Sequence, residues 1–145
     1  MAWGGAFIGH PRTAWSASLT ATTTNPTGWT RTDAATYYQQ IGKLVLCRFR
    51  FTASSATWGS GAWQLALPVN AVSKTQAYIA RGECYTYNNN NTSYGTTMQT
   101  STTTVQFADI DGWFFKWGYG SGYKWTSGSP TNGGSFTGYF FYEAA

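Results

Sequence analysis

The segment from Leu44 to Thr52 constrains the fold most, because large apolar side chains recur along it at every second position. A period of two residues is the repeat of a β-strand, whose successive side chains point to opposite faces of a sheet. We predict that one face belongs to the core, with Val45, Cys47, Phe49 and Phe51. The opposite face is predicted to meet solvent or a partner, with Leu46, Arg48 and Arg50.

Similar period-two patterns recur along the chain, bounded by Gly, Asn, Ser and Pro. They predict about eight short strands, of which the others lie at 15–24, 37–41, 63–67, 77–87, 97–107, 113–117 and 136–143. Aromatic residues, which favour strands, make up 19% of the chain. Helical patterns are limited to a short turn at 11–14 or 32–39. We therefore expect an all-β fold, a single-domain antiparallel β-sandwich or jelly roll over residues 1–145.

Side chains that carry catalysis or bind metals are scarce. His10 is the only histidine and lies between Gly and Pro, which predicts a surface loop. Glu83 and Glu143 are the pair that a glycosidase would use, but solvated strand carboxylates are the favoured interpretation. Asp109 and Asp111 resemble part of a calcium loop that lacks its further ligands, so a turn is favoured there. We expect no enzyme activity, no catalytic residue, no metal site and no cofactor.

Charge and hydropathy argue against several partners. The formal net charge is +4, and Arg48 and Arg50 are the nearest approach to a basic cluster. Nucleic-acid binders need several phosphate contacts, so nucleic acid is not an expected partner. The first residues lack the pattern of a signal peptide, and no apolar run is long enough for a transmembrane helix, so no membrane partner is expected.

The two cysteines, Cys47 and Cys84, both lie within apolar strand patterns. Free Cys is among the residues most often buried, so two buried free thiols are the favoured interpretation. A disulfide between them remains open if the mature protein meets oxidising surroundings.

The number of aromatic side chains exceeds what one small core accommodates: the chain has eight Trp, ten Tyr and nine Phe. Some rings are therefore expected on a surface that is covered or used. The densest group is interleaved with Gly, and its candidate residues are Trp113, Phe115, Trp117, Tyr119, Tyr123 and Trp125. They are expected to form a subunit interface or, alternatively, a glycan-binding platform or ordinary packing. A second candidate is the tract Asn88, Asn89, Asn90 and Asn91, predicted to be an exposed loop.

Four segments in a fixed order carry a resemblance to a known family. They are a Thr-rich stretch ending at 25–28 (Asn-Pro-Thr-Gly), the step 37–45 through Ile-Gly to Leu-Val, the pair 57–61 and 65–69, and a Gly-rich segment before a final strand that ends at 142–145. Together they resemble the β-sandwich, knob-like domain of structural proteins from tailed bacteriophages, particularly those of actinobacterial hosts. The chain departs from the family's usual Trp-Thr-x-Gly-Asp turn, because Ser129 stands where the acid is common.

The resemblance implies a non-enzymatic virion protein that assembles as a homotrimer. A capsid decoration protein on the particle surface is the expected function, with other virion proteins, such as the major capsid or tail proteins, as partners. Such a protein would assemble in the host cytoplasm without a signal peptide. A tail-fibre knob that recognises host-surface glycans is the alternative, and a free-standing carbohydrate-binding module is a further one.

Overall fold

The computed structural model describes residues 10–57, 59–73, 81–88, 91–99, 101–109, 116–117 and 134–145. These residues form eleven strands and one short 3-10 helix, Asp33–Ala35. The strands are β1 Thr13–Ala14, β2 Leu19–Ala21, β3 Trp29–Arg31, β4 Tyr37–Ile41, β5 Leu44–Ala53, β6 Gly61–Ala66, β7 Arg81–Asn88, β8 Asn91–Gln99, β9 Thr104–Asp109, β10 Lys116–Trp117 and β11 Ser135–Glu143. Seven of them are five residues or longer, and the prediction of an all-β fold is confirmed.

The strands pair in the order β1-β4-β5-β11-β7-β8-β9-β6-β10, with β3 added to β5 and β2 to β6, and every pairing is antiparallel. Two strands separate β11 from β9, which would place them about 14 Å apart in a flat sheet. The rings of Phe136 on β11 and Phe107 on β9 nevertheless lie 4.9 Å apart between centroids. The sheet therefore folds over on itself, and its two halves form a β-sandwich with one core between them.

The longest pairing, between β5 and β11, sets the register of the core. It runs from Leu44 opposite Glu143 to Thr52 opposite Ser135. The predicted inward face of β5 is confirmed, since Val45, Cys47, Phe49 and Phe51 are all buried. Other buried positions are Trp63 and Leu65 on β6, Val105 and Phe107 on β9, and Phe136, Phe140 and Tyr142 on β11.

Two connecting segments pack against each other at one end of the sandwich. The Asn25–Gly28 turn and the 54–60 segment are joined by backbone bonds between Thr24 and Ser60 and between Thr27 and Thr57. The hydroxyl oxygens of Thr27 and Thr57 lie 2.8 Å apart. Gly59 has a φ of +66°, and a Cβ there would collide with the backbone carbonyl oxygen of Thr24. Only glycine fits this approach without strain.

The loop after β6 is fastened to the last strand by one side chain. The Tyr142 hydroxyl donates a hydrogen bond to the Val69 carbonyl oxygen at 2.7 Å and accepts one from the Val69 N–H at 3.3 Å. Both polar groups of one loop residue are therefore satisfied by a side chain of β11.

Several predicted boundaries were wrong. The strand predicted at 97–107 is two strands, because a turn at Ser101–Thr103 separates β8 from β9. The Ser101 hydroxyl accepts a hydrogen bond from the Thr103 N–H at 3.2 Å, which stabilises this turn. Thr and Ser suit both strands and such turns, so propensity alone hid the break. Of the stretch predicted at 15–24, only Leu19–Ala21 is a strand, and the helical turn considered at 11–14 contains β1 instead.

Candidate functional surface

The aromatic group predicted as an interface or glycan site lies almost wholly outside the described residues. Trp117 is the one member within them, where β10 pairs with β6 and sets Trp117 opposite Gly61. The other members are Trp113, Phe115, Tyr119, Tyr123 and Trp125. Their role stays a prediction.

The asparagine tract connects two long strands. Asn88 ends β7, Asn91 begins β8, and the two residues are paired across the hairpin. The connection is therefore shorter than the predicted four-residue loop, because Asn88 and Asn91 belong to the paired strands. Asn89 and Asn90 lie outside the described residues, and exposure of the tract stays a prediction.

The structure shows a second candidate surface, the outward face of β4, β5 and β11. Pairing across these strands arranges the outward residues in rows. We call this surface the outer face and define it by Tyr37, Gln39 and Ile41 on β4, Leu44, Leu46, Arg48 and Arg50 on β5, and Thr137, Tyr139, Phe141 and Glu143 on β11.

Large apolar side chains are exposed on the outer face. Leu44 is 44% exposed, Tyr139 42% and Phe141 40%. Ile41 and Leu46 are half-buried beside them. Rows 41-44-143 and 39-46-141 therefore place these apolar side chains together, beside Glu143 and beside Gln39, which is buried.

Arginines occupy the other half of the outer face. Arg48 stands between Tyr37 and Tyr139 across three strands, and Arg50 lies one row further on. Both are exposed, as predicted for this side of β5. The Arg12 guanidinium carbon lies 4.4 Å from the centroid of the Tyr37 ring, within cation–π distance. Within the described part of the chain, the one ion pair joins Arg31 to Asp33 and includes neither Arg48 nor Arg50.

The residues considered for chemistry are dispersed. His10 is exposed, as predicted, and its backbone carbonyl oxygen accepts a hydrogen bond from the Gln39 side-chain amide at 2.6 Å. Glu83 pairs with Tyr139, four residues before Glu143 on β11. The Cα atoms of Glu83 and Glu143 are therefore about 14 Å apart. Among described residues no cluster of His, Cys, Asp and Glu would hold a metal ion, and Asp111 lies outside them.

Cys47 is a buried free thiol, as the favoured interpretation predicted. Cys84 sits on β7, and β11 lies between β7 and β5. Two strand spacings put the Cα atoms about 10 Å or more apart, beyond the reach of a disulfide. Burial raises the pKa of the Cys47 thiol well above its usual value. Burial also raises the pKa of Tyr142, the nearby Cys47 adds to this, and the Val69 hydrogen bond opposes it.

Sequence reasoning assigned Arg48 and Arg50 to the correct face but did not single out Tyr139 and Phe141. A signal was present, because β11 carries rings at both odd and even positions. A sheet in a two-layer sandwich buries only one of its faces. One of the two sets of rings on β11 must therefore lie outside the core.

Comparison of the chain with protein-family models, with curated proteins and with solved structures gives no match. The structure defines the class of the protein, which is an all-β antiparallel sandwich with aromatic residues and arginines on one outward face. No helix in the described ranges is long and apolar enough to cross a membrane.

Proposed function

We propose that this protein is a non-enzymatic structural protein of a tailed-bacteriophage virion, a decoration protein that assembles as a homotrimer on the capsid surface. The segments that carry the resemblance to such proteins support this assignment, because several of them are hydrogen-bonded to one another in the structure. We call each of these contacts a joint of the sandwich.

The first joint combines two of these segments. The Asn25–Gly28 turn and the 57–61 segment are held together through Thr27 and Thr57. The Trp29 indole N–H also donates to the Thr57 carbonyl oxygen at 2.9 Å. The second joint unites the 65–69 segment with the closing strand, through Tyr142 and Val69.

The third segment, 37–45, is the β4–β5 hairpin. Ile41 pairs with Leu44, so Gly42 and Lys43 form a two-residue turn. Gly42 has a φ of +57°, which suits the first central position of a type II′ hairpin turn. This hairpin carries most of the outer face. The single observation that supports the proposal best is therefore that separate motifs in the order of one family contact each other in one fold.

The position on the particle can be tested directly. Antibodies raised against the purified protein would be applied to phage particles released from the lysed host and followed by immunogold electron microscopy. We expect label on the head surface. Label confined to the tail would favour the tail-fibre knob, and particles that carry no label and no peptide of this chain would overturn the virion assignment.

The predicted aromatic group can be tested through Trp117. If it forms the interface, Trp117→Ala should dissociate the assembly or release it from the particle. If it forms a glycan site, the same change should leave the assembly intact and abolish binding on an array of host cell-wall glycans.

A hydrolysis assay on cell-wall polysaccharides tests the absence of enzyme activity. We expect no turnover. Turnover that disappears in Glu83→Gln or Glu143→Gln would contradict the proposal and would favour a glycan-cleaving enzyme instead.

A further inference from the structure

We propose that arginines and tyrosines of the outer face form a binding site for an acidic polysaccharide, a sugar chain in which neutral sugars separate those that carry a carboxylate. The site consists of Arg12, Tyr37, Arg48, Arg50 and Tyr139, and we call it the arginine site. The inference goes beyond the proposed function, because it depends neither on self-assembly nor on a position on the particle.

Strand pairing brings the members of the arginine site together from distant parts of the chain. Tyr37, Arg48 and Tyr139 stand side by side across β4, β5 and β11. Arg50 lies two residues beyond Arg48 on the same side of β5, about 7 Å along the strand. The Arg12 guanidinium carbon lies 4.4 Å from the centroid of the Tyr37 ring. Three guanidinium groups that the sequence separates therefore share one part of the outer face.

The two arginines of β5 have guanidinium groups without protein partners. Both side chains are exposed. Across the residues that the structure describes, neither guanidinium donates a hydrogen bond or joins an ion pair, while Arg31 is paired with Asp33. A guanidinium group carries five N–H donors in a planar fork that matches the two oxygens of a carboxylate. Arg48 and Arg50 therefore offer their donors to an anionic ligand.

The exposed tyrosine of the arginine site favours a sugar chain over an isolated ion. Tyr139 is 42% exposed, so its ring presents apolar area directly beside Arg48. A sugar ring has apolar C–H faces that pack on an aromatic ring, while its hydroxyl groups bond to polar side chains. An inorganic anion would use the guanidinium groups and leave the ring uncovered.

Glutamates on the strands of the outer face argue for a ligand with spaced charges. Glu143 is exposed on β11, and Glu83 on β7 stands two strands from Arg48 in the same row. A nucleic-acid strand carries a phosphate on every nucleotide and binds through several of them, so nearby carboxylates would repel it. Neutral sugars between the charged ones would instead donate hydroxyl hydrogen bonds to a carboxylate such as Glu143.

The experiment measures binding of the full chain to a hyaluronate hexasaccharide, a defined probe with a carboxylate on every second sugar, by isothermal titration calorimetry. We expect saturable binding that weakens as salt is added, and no binding of the neutral maltohexaose. Arg48→Gln and Arg50→Gln should each lower the affinity about tenfold or more. Tyr139→Ala should lower it to a similar extent, whereas Tyr139→Phe keeps the ring and should stay within about threefold of the wild type.

The matched control is Lys43→Gln, which removes the same single charge from an exposed position in the β4–β5 turn. Its affinity should stay within about twofold of the wild type. Arg48, Arg50 and Tyr139 lie outside the buried cluster that holds the sandwich together. Their variants are therefore expected to fold, which thermal unfolding followed by circular dichroism would verify for each of them.

The outcomes separate this inference from its alternatives. Loss of affinity in the arginine-site variants with retention in Lys43→Gln would support it. Absence of binding at about 5 mM hexasaccharide would overturn it, and so would unchanged affinity in Tyr139→Ala. An equal loss in Lys43→Gln would indicate general charge attraction, and tighter binding of a six-nucleotide single strand would indicate a nucleic-acid surface; either result would overturn the inference. Immunogold labelling of particles tests the virion assignment independently.

Discussion

Replacing Phe49 with alanine tests the register of the sandwich most directly. Phe49 is fully buried, and its ring centroid lies 5.0 Å from that of Phe136 and 5.3 Å from that of Phe107. Truncation of a buried Phe to Ala costs about 3–5 kcal/mol through lost transfer energy and the cavity left behind. The ring contacts with Phe136 and Phe107 are lost with it. We therefore expect a loss in the upper part of that range, about 4–5 kcal/mol, in the free energy of unfolding.

The measurement is guanidinium unfolding followed by tryptophan fluorescence, since the substitution removes no Trp. A loss of 4 kcal/mol in a chain of this length corresponds to a drop of about 13 °C in Tm. The matched control is Arg48→Ala, the exposed neighbour, which should stay within about 0.5 kcal/mol of the wild type. If Phe49→Ala cost less than about 1 kcal/mol while Arg48→Ala cost several, the strand would be shifted by one residue and the reasoning would fail.

Three further predictions concern single groups of the structure. Tyr142→Phe should cost about 1–2 kcal/mol in urea unfolding, because it leaves the N–H and C=O of Val69 without their partner; a loss below about 0.3 kcal/mol would contradict that bond. Gly59→Ala should cost more than about 2 kcal/mol, and Gly42→Ala only about 1 kcal/mol, since both have positive φ but only the first meets backbone atoms; equal losses would contradict the close packing of the two turns. Burial raises the pKa of the Cys47 thiol, so the folded chain keeps its proton after the unfolded chain has lost it near pH 8.5. The contribution of this thiol to the free energy of unfolding should be fully present below that pH and should fall above it by up to about 1.4 kcal/mol per pH unit. Cys47→Ala should remove this contribution from the pH dependence of the unfolding free energy measured between about pH 8 and 10.5. An unchanged pH dependence in the variant would refute the prediction.

The strands with a strong inward pattern could be predicted from the sequence. On β5 and β11, burial of every second residue imposes a period of two, and Phe49 and Phe140 lie where that period places them. A one-residue slip would bring Arg48 and Phe141 into the core in their place, at the cost of a buried charge. The inward face alone therefore determines the register of both strands.

Turns within polar stretches could not be predicted in the same way. The residues from Ser101 to Thr103 have side chains that fit an exposed strand as well as a turn. The asparagines at the β7–β8 connection present the same ambiguity, and Asn88 and Asn91 proved to be the paired ends of a hairpin. Local preference decides little there, because cross-strand partners supply the stabilisation.

The outer face could be predicted only in part. The sequence indicated that Arg48 and Arg50 share one side of β5, but Tyr139 and Phe141 lie about ninety positions further along the chain. Their proximity depends on the pairing of β5 with β11. Such non-local pairing is selected by the packing of the whole core, and no local pattern specifies which strand becomes the neighbour.

The two sides of β5 and β11 are therefore subject to separate physical demands. On the inward side, volume and apolarity are fixed by close packing around Phe49, so substitutions there report on folding. On the outward side, Tyr139 and Phe141 contribute little to the buried core, yet they keep apolar area in contact with water at a cost in free energy that a shorter polar residue would avoid. A partner that covered this area would remove that cost. If Phe141→Ser leaves the unfolding free energy of the monomer unchanged but weakens the assembly, the difference between the two measurements gives the contribution of this ring to association.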